Sequence, residues 1–336
     1  MATVYDIAKA AGVSYSTATR VLNGQANYTR PTFVKRAQRI REIAEKMGYR
    51  PNSAARATST GRFDAVGVVI RRSEKLGFGP HNSYIRGINQ VLDKTDQNLV
   101  MAPVDPDSVT EEQAPRILSE AMVDGLIIGD DDALGLRADA TLERLHIPSV
   151  WINNKRELNA VYPDDFEGVQ RLVRHFIELG HRRIAFAGSP DSGHYSSTDR
   201  VAGYSAAMRA AGLQPRPAIW GKRPRDTYAK IEAALSTPDR PTAFVVIDHG
   251  HEPVLVAAAK LGLSVPDDLS VLSLGHGQPM GSCLVDTYEI PAYWVGYFAA
   301  EMLQQRIADP LRADVPARPV AYDKYIPGDT LARVPD

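Results

Sequence analysis

Two patterns of hydrophobic and polar positions divide the chain near residue 62. Before that point, apolar residues recur every three or four positions, which is the spacing of amphipathic helices. From residue 65, short continuous apolar runs alternate with longer amphipathic segments, as in buried strands joined by crossover helices. The runs predict strands at 65–70, 99–102, 125–129, 149–152, 183–188, 243–247 and 269–274. The amphipathic segments predict helices near 82–95, 111–121, 138–145, 165–179, 199–211 and 252–261.

The order of these elements predicts an α/β body of doubly wound parallel sheets with helices on both faces. The strands form two successive series, and the second series starts with the helix at 165–179, so the body is expected to have two lobes. Ligands of open parallel sheets bind beyond the carboxyl ends of the strands. The expected binding site is therefore the cleft between the lobes.

The first 23 residues predict two short helices separated by a tight turn at Gly12, which can adopt a positive φ. Thr3 can cap the first helix in a capping box with Asp6, and Ser14 can cap the second. The inward positions are apolar: Ile7, Ala8, Ala18, Val21 and Leu22. The outward positions of the second helix can all form hydrogen bonds and none is acidic: Tyr15, Ser16, Thr17, Thr19 and Arg20. The pattern is typical of a helix-turn-helix that places its second helix in the DNA major groove, with an ordinary helical hairpin as the alternative.

A third helix is predicted to begin at 30–32, because Pro31 suits the first turn of a helix, and to end at Gly48. Its apolar positions would close a three-helix core: Val34, Ala37, Ile40, Ile43, Ala44 and Met47. Residues 49–61 then predict a linker. Within it, residues 54–60 are too few for a helix that is stable without a partner.

The charges are distributed unequally along the chain. Residues 1–62 contain eleven Lys and Arg but only three acidic residues, whereas the formal charge of the whole chain is −1. The head therefore carries a charge of +8 and the remainder a charge of −9. A small basic head on an acidic body indicates that the head meets a polyanion.

Composition limits the cellular context of the chain. With 336 residues it can form two or three domains, and its single cysteine, Cys283, excludes an internal disulfide bond. No apolar run reaches transmembrane length, and the N-terminus lacks the apolar core of a signal peptide. These features predict a cytoplasmic protein.

Several short patterns are weak candidates for other chemistry. Residues 249–252 include two histidines and a glutamate but lack a full metal-ligand set, so a solvated pocket rim is the favoured interpretation. The acidic run at 130–132 favours an exposed loop over a cation site, and Cys283 favours packing over a nucleophilic role. Residues 188–193 have neither a Walker lysine nor the spacing of a nucleophile elbow. No catalytic residue, metal or cofactor is predicted, and the protein is not expected to be an enzyme.

Three sets of motifs resemble the LacI/GalR family of bacterial transcription regulators. The first is Thr3-Val-Tyr-Asp-Ile-Ala with Gly12-Val-Ser-Tyr-Ser-Thr and Arg20-Val-Leu-Asn, and the second is Tyr49-Arg-Pro-Asn followed by Ala55-Arg. The third lies in the body: Val123-Asp-Gly-Leu-Ile-Ile, Leu179-Gly-His-Arg-Arg-Ile, Arg200 with Gly203-Tyr, and Gly262-Leu-Ser-Val-Pro. The resemblance implies a headpiece at 1–50, a hinge at 51–62 and a body at 63–336. It assigns about 63–160 and 290–325 to the first lobe and about 161–289 to the second, with a last helix near 291–306 returning to the first lobe.

The resemblance also implies a homodimer whose heads read a pseudo-palindromic operator. Family positions that contact bases correspond to Tyr15, Ser16 and Arg20, and Arg20 suits a bidentate contact to guanine. Positions that contact phosphates correspond to Thr3, Ser14, Thr17, Thr19 and Asn23. The family's hinge positions that enter the minor groove correspond to Asn52, Ala55 and Thr58. The chain departs from the family at Thr58, where a wedging leucine is usual, so a weaker DNA kink is expected.

The body resembles periplasmic sugar-binding proteins, which implies a small effector, most simply a carbohydrate, between the lobes. The implied effector residues are Phe78, Asp130, Asp164, Ser196, Arg200, Trp220, Asp248 and His276. Among the aromatic residues, Trp151, Trp220 and Phe78 could either stack on a sugar or belong to the core. At 273–276 the chain lacks the carboxylate that commonly binds a sugar hydroxyl in the family. Both an oligosaccharide and an acidic sugar therefore remain candidate ligands. The sequence predicts a repressor controlled by this ligand, and a solute receptor that uses only the cleft is the alternative.

Overall fold

The computed structural model describes residues 2–24, 30–50, 57, 61–71, 80–104, 117, 120, 122–129, 139, 142–247, 250–275, 284–309 and 314–334. The described residues divide into two compact units. One comprises the N-terminal residues to 65 together with 122–124, and the other comprises the rest of the chain. Residues 122–124 belong to the first unit because the amide of Phe63 donates to Asp124 Oδ1 at 2.7 Å and the amide of Asp124 donates to the carbonyl of Ala65 at 2.8 Å.

The N-terminal unit contains three helices: α1 Val4–Ala11, α2 Tyr15–Leu22 and α3 Pro31–Lys46. The capping box on α1 is confirmed, because Thr3 Oγ1 accepts from the amide of Asp6 at 3.3 Å and the amide of Thr3 donates to Asp6 Oδ2 at 2.9 Å. Gly12 ends α1 with a φ of 67°, and Ser14 caps α2 as predicted. The turn between the helices therefore forms from the residues that the sequence indicated.

The core of this unit is narrower than the sequence predicted. Its main cluster of buried residues is Ile7, Ala11, Val21, Ala37, Ile40 and Ala44, and the predicted inward residues Ala8 and Ala18 are buried as well. Val34 and Met47 were wrongly assigned to it, because both are exposed near the ends of α3. The fully buried part of α3 runs only from Ala37 to Ala44, so the outer turns of this 16-residue helix project past the core.

The second unit has two sheets. Its strands are β1 Ala65–Arg71, β2 Asn98–Val104, β3 Gly125–Gly129, β4 Ser149–Ile152, β5 Ala160–Pro163, β6 Ile184–Ala187, β7 Ala243–Ile247, β8 Ser270–Gly275, β9 Asp286–Glu289, β10 Arg318–Val320 and β11 Tyr325–Ile326. Its helices are α4 Pro80–Thr95, α5 Asp165–Glu178, α6 Tyr195–Ala210, α7 Pro224–Leu235, α8 His251–Lys260 and α9 Ala292–Ala308. Residues 142–145 form one further helical turn.

The strand order in the first sheet is β10-β5-β4-β3-β1-β2, and in the second it is β11-β9-β8-β7-β6. The pairings of β3 with β1 and β4, and of β7 with β6 and β8, are parallel, whereas β11 pairs antiparallel with β9. We call the part around the first sheet lobe 1 and the part around the second sheet lobe 2. The predicted class of a small helical head followed by a two-lobed α/β body is confirmed.

The last long helix, α9, packs on α4 in lobe 1, as the sequence predicted. Two glycines allow a close approach of the helix backbones. A Cβ at Gly87 would lie 2.0 Å from the carbonyl oxygen of Tyr293, and one at Gly296 would lie 2.1 Å from that of Tyr84. No helix in the described ranges is long and apolar enough to cross a bilayer.

The sequence missed five elements of the body, β5, β9, β10, β11 and helix α7. Strands β10 and β11 have only three and two residues, and β9, Asp286–Glu289, contains acidic and hydroxyl residues in place of a continuous apolar run. Helix α7 did have a signal, since Pro224 occupies its first turn and Thr227, Ile231 and Leu235 recur every four residues on its buried face. Helix α6 begins at Tyr195, four residues before the predicted start, because the side chain of His194 caps it.

Candidate functional sites

The outward face of α2 is the first candidate site. Tyr15 is 58% exposed, and Ser16 and Arg20 are also exposed. Helix α2 contains no acidic residue in its first turn and Arg20 in its last. These three side chains point away from the buried pair Ala18 and Val21, so the face combines one cation with groups that can donate and accept hydrogen bonds.

The residues expected to contact phosphates lie in α2 or at the ends of α1 and α2, and several already have local partners. Ser14 Oγ is 2.8 Å from Thr17 Oγ1, and Thr19 Oγ1 donates to the carbonyl of Tyr15 at 2.9 Å. Thr3 Oγ1 donates to Asp6 Oδ2 at 2.7 Å, and this bond helps to hold the pKa of the Asp6 carboxyl below its usual value. Asn23 is the C-terminal cap of α2. Since each hydroxyl also has acceptor lone pairs, these bonds orient the side chains and leave the phosphate assignment a prediction.

A cavity in lobe 2 is the second candidate site. It has a volume of about 880 Å³ and opens at the carboxyl ends of β6 and β7. Three of the predicted effector residues, Ser196, Arg200 and Trp220, lie on its wall. The location agrees with the expectation that ligands of parallel sheets bind beyond the carboxyl ends of the strands.

A buried ion pair holds Arg200 at this wall. Its Nε donates to Oδ1 of Asp165 at 2.7 Å, and the hydroxyl of Tyr322 donates to the same oxygen at 2.7 Å. Asp165 is fully buried, Arg200 is 16% exposed, and the other Asp165 oxygen accepts no hydrogen bond from the described residues. Burial, and then the negative charge of Asp165, raise the pKa of Tyr322 well above its usual value, so this hydroxyl keeps its proton and remains a donor.

The sequence analysis assigned Asp164 to the effector site, but the residue that contacts Arg200 is the next one, Asp165. Asp164 caps α5, with its Oδ1 accepting from the amide of Glu167 at 3.1 Å, and it does not line the cavity. The first helical residue, Asp165, instead turns its carboxylate inward to Arg200. The assignment of Asp164 to the effector remains a prediction.

The first turn of α6 supplies a hydroxyl-rich part of the wall. His194 Nδ1 is 2.8 Å from Ser196 Oγ, and His194 Nε2 is 2.9 Å from the carbonyl of Asn153 in lobe 1. Ser192 Oγ and Ser197 Oγ are 2.5 Å apart. Sequence reasoning missed His194, Ser192 and Ser197, although all three stand within eight residues of Arg200. His194 also joins the cavity wall to lobe 1.

Backbone hydrogen bonds next to Trp220 hold it on the wall of the cavity opposite the first turn of α6. The amide of Ile219 donates to the carbonyl of Phe186 at 2.9 Å, and the amide of Gly221 donates to Thr227 Oγ1 at 2.9 Å. The Trp220 side chain nevertheless remains 43% exposed on the cavity. By contrast, Trp151 is buried in β4 with the Arg156 guanidinium 3.7 Å from its ring centre, so Trp151 belongs to the core.

Other predicted site residues lie outside the described residues: Asn52, Ala55, Thr58, Phe78, Asp130, Asp248 and His276. Cys283 and His249 lie outside them as well. Among the residues that are described, no group of three or more His, Cys, Asp or Glu side chains is arranged to hold a metal ion.

Comparisons with known proteins match both the N-terminal and the C-terminal part of the chain. Residues 3–52 match the model "Bacterial regulatory proteins, lacI family", and residues 173–331 match the "Periplasmic binding protein-like domain". Catabolite control protein A of Priestia megaterium is 27% identical over 281 residues, which cover 82% of each chain. Two solved structures share the fold. One is the Lac repressor dimer bound to operator and the anti-inducer ONPF, with a TM-score of 0.79 and 21% sequence identity over 98% of this chain and 99% of the solved one. The other is the transcriptional regulator CelR–cellobiose complex, with a TM-score of 0.66 and 20% sequence identity over 98% of this chain and 100% of the solved one. The chain therefore resembles the lacI family of bacterial regulatory proteins, with a matching helix-turn-helix domain at residues 3–52 and a periplasmic binding protein-like domain at residues 173–331.

Proposed function

We propose that this protein is a cytoplasmic, nucleoid-associated repressor that binds a pseudo-palindromic operator as a homodimer. A small carbohydrate bound between its lobes would control its affinity for DNA. The observation that carries the proposal is the exposed, acid-free face of α2 on a capped helix-turn-helix that matches the lacI family over residues 3–52. The +8 charge of residues 1–62 supports the same function, because phosphate contacts supply most of the affinity of such proteins for DNA.

On this proposal, Arg20 is the main reader of sequence. Its planar guanidinium can donate two hydrogen bonds to O6 and N7 of one guanine. Tyr15 and Ser16, at the other end of α2, would contact neighbouring bases. Thr3, Ser14, Thr17, Thr19 and Asn23 would hold phosphates and set the register, and Asn52, Ala55 and Thr58 would enter the minor groove.

The cavity in lobe 2 is the proposed effector site. Arg200 and Ser196 would hold hydroxyl groups and Trp220 would pack against a sugar ring, while Asp164, Phe78, Asp130, Asp248 and His276 remain further candidates. A carbohydrate is supported by the hydroxyl-rich first turn of α6 and by the shared fold with the cellobiose complex. Since His194 and Tyr195 also contact Asn153 in lobe 1, a ligand on α6 would bind one relative position of the lobes better than another. Only such a difference in affinity can change the binding of DNA.

A gel-shift titration tests the proposal with the duplex upstream of the protein's own gene and a scrambled duplex of equal length. Wild type should prefer the upstream duplex. Arg20→Ala should weaken that binding by about 1–3 kcal/mol, or roughly 5- to 150-fold, while binding to the scrambled duplex changes little. Lys46→Ala, which removes one exposed charge at the end of α3, serves as the control and should keep the preference. Equal binding of the two duplexes by wild type would refute the proposal.

A further inference from the structure

A groove on the surface of lobe 1 is a further candidate binding site. It lies between α4, the start of α9 and the edge strand β10, and its volume is about 1050 Å³. No described residue lines both this groove and the cavity in lobe 2. We propose that the groove binds a nucleotide, whose base stacks on Trp294 while its phosphates lie against Arg86 and Arg318. Such a site is separate from the proposed effector site in lobe 2.

Trp294 is exposed and yet held in place by its neighbours on α9. Its ring stacks on Phe298 with 5.7 Å between the ring centres and 23° between the planes. Tyr293 and Tyr297 contact it edge-to-face, with ring centres 5.1 and 5.8 Å away. Trp294 nevertheless remains 50% exposed and lines the groove. A side chain that is already ordered loses little conformational entropy when a planar ligand covers it, so a base can stack on this ring at a small entropic cost.

The groove also contains two arginines without a carboxylate partner. The guanidinium carbon of Arg318 lies 3.3 Å from the ring centre of Phe298, and this cation–π contact holds the charge on the groove wall. In the part of the chain that the structure describes, neither Arg318 nor the exposed Arg86 of α4 forms a salt bridge. An arginine with free N–H groups can donate two parallel hydrogen bonds to a phosphate. The two arginines are therefore available to an anionic ligand.

Most of the acidic groups in the groove are already neutralised. Glu289 Oε2 lies 2.5 Å from Lys324 Nζ, and Asp323 Oδ1 lies 3.1 Å from Arg171 Nη1. Among the described lining residues, Asp93 is then the only acid without an ion pair. With two unpaired arginines against one unpaired carboxylate, the remaining charge of the groove is positive, which favours an anion.

Two amide side chains distinguish a nucleotide from a simple aromatic acid. Asn89 and Gln90 follow Arg86 along α4, and both line the groove. Each amide can donate and accept hydrogen bonds, which matches the mixed donors and acceptors on the edge of a base. An aromatic carboxylate would use the tryptophan and the arginines but would leave both amides without a role. The volume of the groove is also sufficient for a base, a ribose and phosphates together.

Titration calorimetry on the full-length protein, at about 0.15 M salt, tests this ligand class. The probes are AMP, ATP, GMP and GTP. Adenosine and guanosine are the controls without phosphate, ribose phosphate and inorganic triphosphate are the controls without a base, and benzoate is the aromatic carboxylate. At least one nucleotide should bind about tenfold or more tightly than every control compound.

Two substitutions locate the bound nucleotide. Trp294→Leu should weaken its binding roughly 5- to 150-fold, because the stacking surface is lost. Arg86→Gln should weaken it about tenfold, because a charged phosphate contact is lost. The matched controls are Trp220→Leu in the cavity in lobe 2 and Arg209→Gln at the exposed end of α6, and both should bind the nucleotide like wild type.

Trp294→Phe keeps a ring at this position and should retain most of the affinity, which separates lost stacking from a general disturbance of α9. Three results would overturn the inference: no nucleotide binds more tightly than the control compounds, wild type and Trp294→Leu bind equally, or Trp220→Leu loses affinity that Trp294→Leu retains. The last result would place the nucleotide in the cavity in lobe 2.

Discussion

Lys155 Nζ lies 2.6 Å from Oδ2 of Asp199 and joins the β4–β5 connection of lobe 1 to the helix that carries Arg200. The contact lies one helical turn from Ser196 on the cavity wall. The hydrogen bond from Lys155 to Asp199 is also the main reason that the pKa of Lys155 is raised. A salt bridge between Lys155 and Asp199 therefore connects the two lobes next to the proposed effector site.

We expect Lys155→Met to loosen the first turn of α6 while changing global stability by less than about 1 kcal/mol, because the lysine is well exposed to solvent. Since the pKa of the folded lysine is raised, its contribution is present at neutral pH and is lost only as the pH rises above about 10.4. Hydrogen exchange of the amides at 195–200 would report the loosening, and Lys155→Arg should restore protection. Unchanged exchange in Lys155→Met would show that the pair does not restrain α6.

Asp165→Asn should destabilise the body by about 2–3 kcal/mol, because it leaves the Arg200 cation largely buried without its carboxylate. The neighbouring substitution Asp164→Asn is the matched control. It also converts Asp to Asn, but asparagine caps a helix as well as aspartate does, so its effect should be close to zero. Urea unfolding measures both. If the two variants lose equal stability, the Asp165–Arg200 pair stabilises the body no more than the helix cap at Asp164 does.

His181 should make the stability of lobe 2 depend on pH. Its ring is held between Thr242 Oγ1 at 3.0 Å and the carbonyl of Ala332 at 3.1 Å, and burial lowers its pKa. The unfolded chain then binds a proton more readily than the folded one, so stability falls as the pH drops below about 6.5. Unfolding free energies at pH 8 and pH 5.5 should differ less in His181→Gln than in wild type. An equal difference in the two proteins would assign the pH dependence to other groups.

Thr58→Leu should increase both operator affinity and DNA bending, because leucine adds apolar surface where the family inserts a wedge between base pairs. Circular-permutation gel shifts on wild type and variant measure the bend angle. Thr58→Val adds less apolar surface and should give an intermediate angle. Equal bending by all three proteins would mean that residue 58 does not occupy the wedge position.

The head was predictable from sequence because its contacts are local. The Thr3–Asp6 box, the Ser14 cap and the turn at Gly12 each depend on residues five or fewer positions apart. Burial along α3 was less predictable, since periodicity gives the inward face of a helix but not how far the neighbouring helices extend along it. Val34 is exposed for that reason.

The cavity was predictable only in part. Strand ends located it, and Ser196, Arg200 and Trp220 do line the cavity. The choice between Asp164 and Asp165 could not be made from sequence, because it depends on which residue begins α5 and on Tyr322, more than 150 positions away in the chain. Tyr228, which also lines the cavity, was missed together with α7, although Pro224 marks the start of that helix.

Hydrogen–deuterium exchange of the full-length chain, with and without its own upstream duplex, tests the central claim most directly. We expect slower exchange of the amides at 14–23 with that duplex and a smaller change with a scrambled duplex at the same concentration. Exchange at 14–23 that stays unchanged under conditions where a gel shift shows bound duplex would contradict the assignment of α2 as the DNA-reading element.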